Sequence, residues 1–235
     1  MAGLTRRSLL LGTGPMFAMA QGLTDVTSAV DHLLLGVADL DRGIKWVQER
    51  VGVRAAVGGV HPGAGTRNAL LSLGAGHYLE IIAPDPAQPD ANDERHLRDL
   101  TGPRLITFAV TARDIDSIST KARKAGLEVS GPHEGSRRLP SGATLHWRTL
   151  RVRNDMGAGA IQPVPFFIQW SPESPHPSSN SPTGAILESL EFEHPDPVRL
   201  ASIFEALGLE GRVSARRDVR IRAEVESPNG RLSLT

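Results

Sequence analysis

His32, in VDHLLLGVADL, and Glu80, in HYLEIIAP, put an imidazole and a carboxylate on two apolar runs that read as β-strands. Side chains alternate across a strand, so Glu80 points away from Leu79 and Ile81 and shares a face with Tyr78 and Ile82. On one sheet face, His32 and Glu80 can ligate a divalent metal, Zn, Mn, Fe or Ni, with positions left open for a chelating substrate. Such a metal polarises a carbonyl or stabilises an enediolate, and Glu80 is then a candidate catalytic base. The alternative is a polar cup without metal.

Other residues can grip a ligand. His61 lies in a loop with glycines at 58, 59, 63 and 65, and Thr66, Arg67 and Asn68 follow it. A Gly-rich loop lets backbone N–H groups approach an anion or carbonyl closely. His61, Thr66 and Asn68 are therefore candidate substrate-binding residues; a plain hairpin turn is the other reading. His176, between Pro175 and Pro177, follows the strand FFIQW and is a second candidate acid or base. Trp147 and Trp170 are candidate aromatic walls. Arg137-Arg138 reads as an exposed basic pair, with bidentate carboxylate binding as the alternative.

The elements that must position these groups repeat. Three times an apolar strand runs into an Asp, an amphipathic helix and a closing Gly. The caps are Asp39, Asp114 and Asp196, and the closing residues are Gly52, Gly126 and Gly208. The apolar stripes read as Leu40, Ile44, Val47 and Val51; Ile115, Ile118, Ala122 and Ala125; and Val198, Ala201, Phe204 and Leu207. Strand-like runs follow each helix, and the third unit lacks one. The expected fold is α+β: paired βαβββ modules, about 29–83 and 105–170, form a curved-sheet cup. A Pro/Ser-rich linker over 171–184 then leads to a shorter C-terminal βαββ unit, 185–235.

In this order the elements resemble the vicinal-oxygen-chelate superfamily, which includes glyoxalases, bleomycin-resistance proteins and dioxygenases. The stretch HPGAGTRNALLSLGAGHYLEIIAPDP (61–86) resembles the glyoxalase-like domain family. The likeness covers roughly 29–170. It implies metal ligands on the first and fourth strands of each module, here His32 and Glu80. In the second module LITFAV offers Thr107 and no His, and FFIQW offers Gln169. The resemblance implies a cup for a small oxygen-rich molecule, with lyase, isomerase or dioxygenase chemistry. A metal-free sequestering protein of the same fold is the alternative, and a homodimer is an expected assembly.

Thr5-Arg6-Arg7-Ser8, Leu9-Leu10-Leu11 and Ala18-Met19-Ala20 resemble a twin-arginine export signal over residues 1–20. The expected location is periplasmic or secreted, with a cytoplasmic protein carrying an N-terminal tail as the alternative. The apolar stretch is too short to hold the mature protein in a membrane. Zero cysteines exclude thiol catalysis, Cys-bound zinc and disulfides. A net charge of +0 gives no reason to expect a nucleic-acid partner.

Overall fold

The structure is a computed structural model and describes residues 22–89, 95–138, 142 and 144–235. The export signal expected over residues 1–20 lies outside these. Among the described residues no helix is long and apolar enough to cross a membrane.

The first module is β1 (Val30–Gly36), α1 (Leu40–Val51), β2 (Ala56–His61), β3 (Thr66–Ser72) and β4 (Tyr78–Pro84). The second is β5 (Arg104–Thr111), α2 (Ile115–Lys124), β6 (Val129–Arg138), β7 (Thr144–Val152) and β8 (Phe166–Trp170). Asp39 caps α1 by accepting from the Arg42 amide at 2.8 Å, and Gly52 closes it in the left-handed conformation, φ 79°. The predicted stripe of Leu40, Ile44, Val47 and Val51 is buried. In α2, Asp114 caps through the Ser117 amide, and Ile115 and Ala122 are buried. Ala125 stands exposed at its C-terminus.

One eight-stranded sheet contains both modules, in the order β2-β3-β4-β1-β5-β8-β7-β6. Within each half the first and last strands pair in parallel, and β1 meets β5 antiparallel. The cup therefore forms within one chain. His32 lies opposite Tyr78 and Ala109, and Leu34 opposite Glu80 and Thr107. These residues share the concave face, because partners in register point the same way. Leu33 lies opposite Phe108 on the convex face, where the helices pack.

The C-terminal unit departs from expectation. It contains β9 (Ile186–His194), a helix Pro197–Ala206, β10 (Arg212–Ala215), β11 (Arg220–Glu226) and β12 (Leu232–Leu234). The strand expected to be missing is β10. Its four-strand sheet runs β10-β9-β11-β12, with β10 parallel and β11 antiparallel to β9. The sequence repeat is thus not a topological repeat. In the two modules, by contrast, the last strand returns beside the first. The third helix buries Leu200 and Phe204, while Val198 is 74% exposed. Phe204 packs on Phe192, ring centres 4.9 Å apart, and Leu200, one turn before it, shares the buried face in place of Val198. Phe192 also meets Phe108 on the convex face at 5.3 Å. One buried core therefore joins this unit to the large sheet.

Candidate functional site

The concave face encloses a cavity of about 540 Å³. His32, Glu80, His61 and Asn68 form its polar side, and Trp147, Phe166 and Ile168 line the other. The side chains are positioned from the strands outward. Asn68 on β3 donates to Glu80 Oε1 on β4 at 2.7 Å. Its second contact, at 3.3 Å, is to His61 Nε2, and His61 Nδ1 lies 2.8 Å from Thr66 Oγ1. Asn68 Oδ1 accepts from Arg137 Nη1 at 3.0 Å, which fixes the amide's orientation. Arg137 reaches this contact from β6, the opposite edge of the sheet, so the Asn68–Arg137 bond draws the two edges together across the cup.

That clasp depends on Gly58. A Cβ there would lie 2.4 Å from Asn68 Oδ1 and 2.6 Å from Arg137 Nη1. Gly58→Ala is expected to break the clasp and weaken binding of any cavity ligand by about 10-fold, the worth of one charge-assisted hydrogen bond. Calorimetry on the two proteins checks this; equal affinities would show that the clasp has no part in binding.

Below the cavity lies Asp31, fully buried. Its Oδ1 is 2.7 Å from His32 Nδ1. Its Oδ2 accepts from Trp170 Nε1 at 3.0 Å and Thr111 Oγ1 at 3.3 Å, and lies 3.2 Å from His176 Nε2. Neighbours on a strand normally face opposite ways. Here the β1–β5 register slips between Val30 and His32, a bulge at Asp31 that lets consecutive residues meet. Burial pushes the Asp31 carboxyl up, but bonds to His176 and His32 outweigh it and hold Asp31 far below the usual carboxylate range.

With Nδ1 engaged by Asp31, His32 directs Nε2 at Glu80 Oε2, 3.5 Å away. Burial again pushes Glu80 up, and His61, His32 and the Asn68 bond reverse this and leave the carboxyl lowered. His61 is lowered as an imidazole, by burial first and by Arg137, against the opposing effect of Glu80. The two groups face each other at the cavity wall, where both can reach a bound ligand.

The structure brings His32, Glu80, His61, Thr66, Asn68, Trp147 and Trp170 to one cavity. Two expectations are corrected. Gln169 points out of the cup: its Oε1 accepts from the Ile115 amide at 3.0 Å and its Nε2 donates to the Arg113 carbonyl at 3.1 Å. Alternation along β8 places Phe166, Ile168 and Trp170 inward instead. His176 is not an acid or base facing the ligand. It stands behind Asp31, its Nδ1 bonded to Ser178 and its Nε2 to Asp31. The segment 171–184 consequently backs the site from behind Asp31, with a short helix, Pro177–Asn180, packed on β3.

The residues present do not fit a resident metal. Among the described residues no three His, Asp or Glu side chains are grouped to hold one. In the second half Ala109, opposite His32, and Phe166 and Ile168, facing the cavity from β8, carry no ligand atoms. The Asn68 amide donor occupies the side of Glu80 nearest His61.

Asp31 and Tyr78 complete the site; alternation along β4 already put Tyr78 on the face of Glu80, whereas Asp31 carries no local sequence signal for it. Asp31 adjoins His32, but only the bulge makes it a partner. Arg137 joins them against the expectation of an exposed basic pair: it is 8% exposed.

A glyoxalase-like domain model matches residues 30–208. A hypothetical protein from Staphylococcus aureus shares the fold, with TM-score 0.64 and 16% identity over 81% of this chain and 87% of that one. Methylmalonyl-CoA epimerase from Mycobacterium tuberculosis aligns with TM-score 0.41 and 23% identity, over 66% of this chain and 93% of the epimerase. A variant of the Streptomyces coelicolor epimerase, in complex with 2-nitronate-propionyl-CoA, gives 0.44 and 16% over 66% and 99%. No protein of curated function matches the chain. The family model spans both halves of the cup and the residues that line it, and the chain belongs to the glyoxalase-like domain family, with the curved sheet of the vicinal-oxygen-chelate fold.

Proposed function

We propose that the cavity binds a small, oxygen-rich organic anion and that the His32–Glu80 pair moves a proton at the carbon beside its carbonyl. This is isomerase or lyase chemistry. The observation that carries the reading is Arg137. It lines the cavity, it is 8% exposed, and among the described residues no carboxylate lies within 4.0 Å of it. A buried guanidinium with no carboxylate in direct contact leaves part of its donor fork open to the cavity. A ligand carboxylate, taken bidentately by the guanidinium, fills that opening. The His32–Glu80 pair across the cavity is then positioned as the acid–base group. A dioxygenase reading requires a metal and finds no ligand set among the described residues.

Small 2-oxo carboxylates and their amides test this by thermal shift, with deuterium exchange into the carbon acid followed by NMR. Carboxylates are expected to stabilise the protein, by about 2.7 kcal/mol at 100 Kd, and amides are not. Arg137→Gln is expected to abolish the difference. Carboxylates that bind no better than amides would sink the proposal. The aromatic wall of Trp147, Phe166 and Trp170 favours a second reading, a sequestering cup without turnover. Binding without deuterium exchange would select it.

The arginine pair at residues 6 and 7 supports export as part of this reading. Arg6→Lys/Arg7→Lys is expected to leave the protein in the cytoplasmic fraction, and unchanged fractionation would count against export.

A further inference from the structure

Tyr78, on β4, has no assigned role, yet its placement is specific. It faces the concave side and lines the cavity at 4% exposure. Its ring stacks on His32, centres 4.5 Å apart and planes 19° apart, and meets His176 edge-on at 5.6 Å. Asp31, behind His32, holds the imidazole on which that stack rests. The phenol is therefore fixed from both sides.

Its hydroxyl has no hydrogen-bond partner among the described residues. It is also not sealed in the core: the one buried side-chain polar atom without a partner is Arg67 Nε, among the described residues. A buried tyrosine ordinarily finds a partner for its hydroxyl. The open direction for this one is the cavity. Burial, with Asp31 and Glu80 nearby, raises the phenol well above its usual value, so it stays a neutral donor at any physiological pH.

We propose that Tyr78 is the oxyanion donor of the site, hydrogen-bonding the carbonyl oxygen of a substrate whose carboxylate is held by Arg137. This rests on the proton-transfer reading. In the step, the C–H bond beside the carbonyl breaks and its proton passes to the His32–Glu80 pair. The C–H electrons form a carbon–carbon double bond, and the carbonyl electrons move onto oxygen. The resulting enolate oxygen accepts from the Tyr78 hydroxyl, which keeps its proton. Return of a proton from the pair to the same carbon re-forms the carbonyl compound, an exchange that deuterated solvent reports, with no oxidant or further reactant. A neutral donor aimed where charge develops stabilises the transition state more than the ground state.

Two probes separate the roles. Oxamate has a carboxylate and a neutral carbonyl; oxalate has a carboxylate and a planar anionic oxygen in the enolate position. Both are titrated by calorimetry into the full-length protein and into Tyr78→Phe, which keeps the ring and its stack. The wild-type protein is expected to prefer oxalate. Tyr78→Phe is expected to lose about 10- to 100-fold for oxalate, the worth of a hydrogen bond to a charged group, with oxamate affinity within about twofold and an unchanged melting temperature. An oxalate preference that survives in Tyr78→Phe overturns the assignment and leaves the proton-transfer reading in place. Wild-type protein that binds neither probe, or binds both independently of Arg137, overturns that reading and the Tyr78 role together.

Discussion

Asp31→Asn is expected to destabilise the protein by about 3–5 kcal/mol, the cost of breaking a buried charged network from one side. Four groups converge on this carboxylate: the rings of His32 and His176, the Trp170 indole and the Thr111 hydroxyl. They come from β1, β5, β8 and the Pro/Ser-rich segment. An asparagine has one acceptor oxygen and presents an amide donor at the other position, so at least part of this donor set is left unpaired in a dry site. The melting temperature should fall by roughly 10 °C for a chain of this size. Urea unfolding followed by tryptophan fluorescence measures it directly, and a loss below about 1 kcal/mol would show that the network is not what holds the site together.

Asp31, with Glu80 and His61 of the cavity, sets the acid limb of the stability curve. His61 has a lowered folded pKa, so as pH falls below 6.5 the unfolded chain takes up a proton that the folded one refuses. Stability declines from there. Asp31 and Glu80 are also lowered, so their contributions are complete above the unfolded values of 3.8 and 4.5 and are lost as pH falls below them. Asp31→Asn should remove the steepest part of the decline below pH 3.8 and leave the limb near 6.5.

Phe192→Ala is expected to cost about 3–5 kcal/mol and to lower the unfolding midpoint of the whole chain. Phe192 is fully buried between Phe108 of the large sheet and Phe204 of the C-terminal helix. All three tryptophans, Trp46, Trp147 and Trp170, belong to the paired modules. Tryptophan fluorescence therefore reports the cup, while the substitution lies in the C-terminal unit. A shared core requires the fluorescence midpoint to shift with the full loss. An unshifted midpoint would mean that the C-terminal unit unfolds independently.

The sequence by itself determined the local elements and which face of the first sheet carries the polar residues. Strand alternation placed Glu80 opposite to Leu79 and Ile81, and Asp39 and Gly52 bounded α1, because these signals act over a few residues. His61, Thr66 and Asn68 were legible for the same reason, being carried by one hairpin. Only the tertiary structure decided what depends on long-range register. The bulge at Asp31 brings it to His32, and closure of the cup brings Arg137 across to Asn68, 69 residues away. The inward set of β8 is Phe166, Ile168 and Trp170, which turns Gln169 outward to cap α2. His176 is drawn from a Pro/Ser-rich segment to the back of a buried carboxylate, 145 residues from its partner. A one-residue slip exchanges the faces of a strand, and no local pattern encodes where such a slip falls. The C-terminal unit shows the same limit: it repeats the cap, helix and glycine of the modules, yet β10 pairs beside β9, and a buried Phe108–Phe192–Phe204 contact fixes its place.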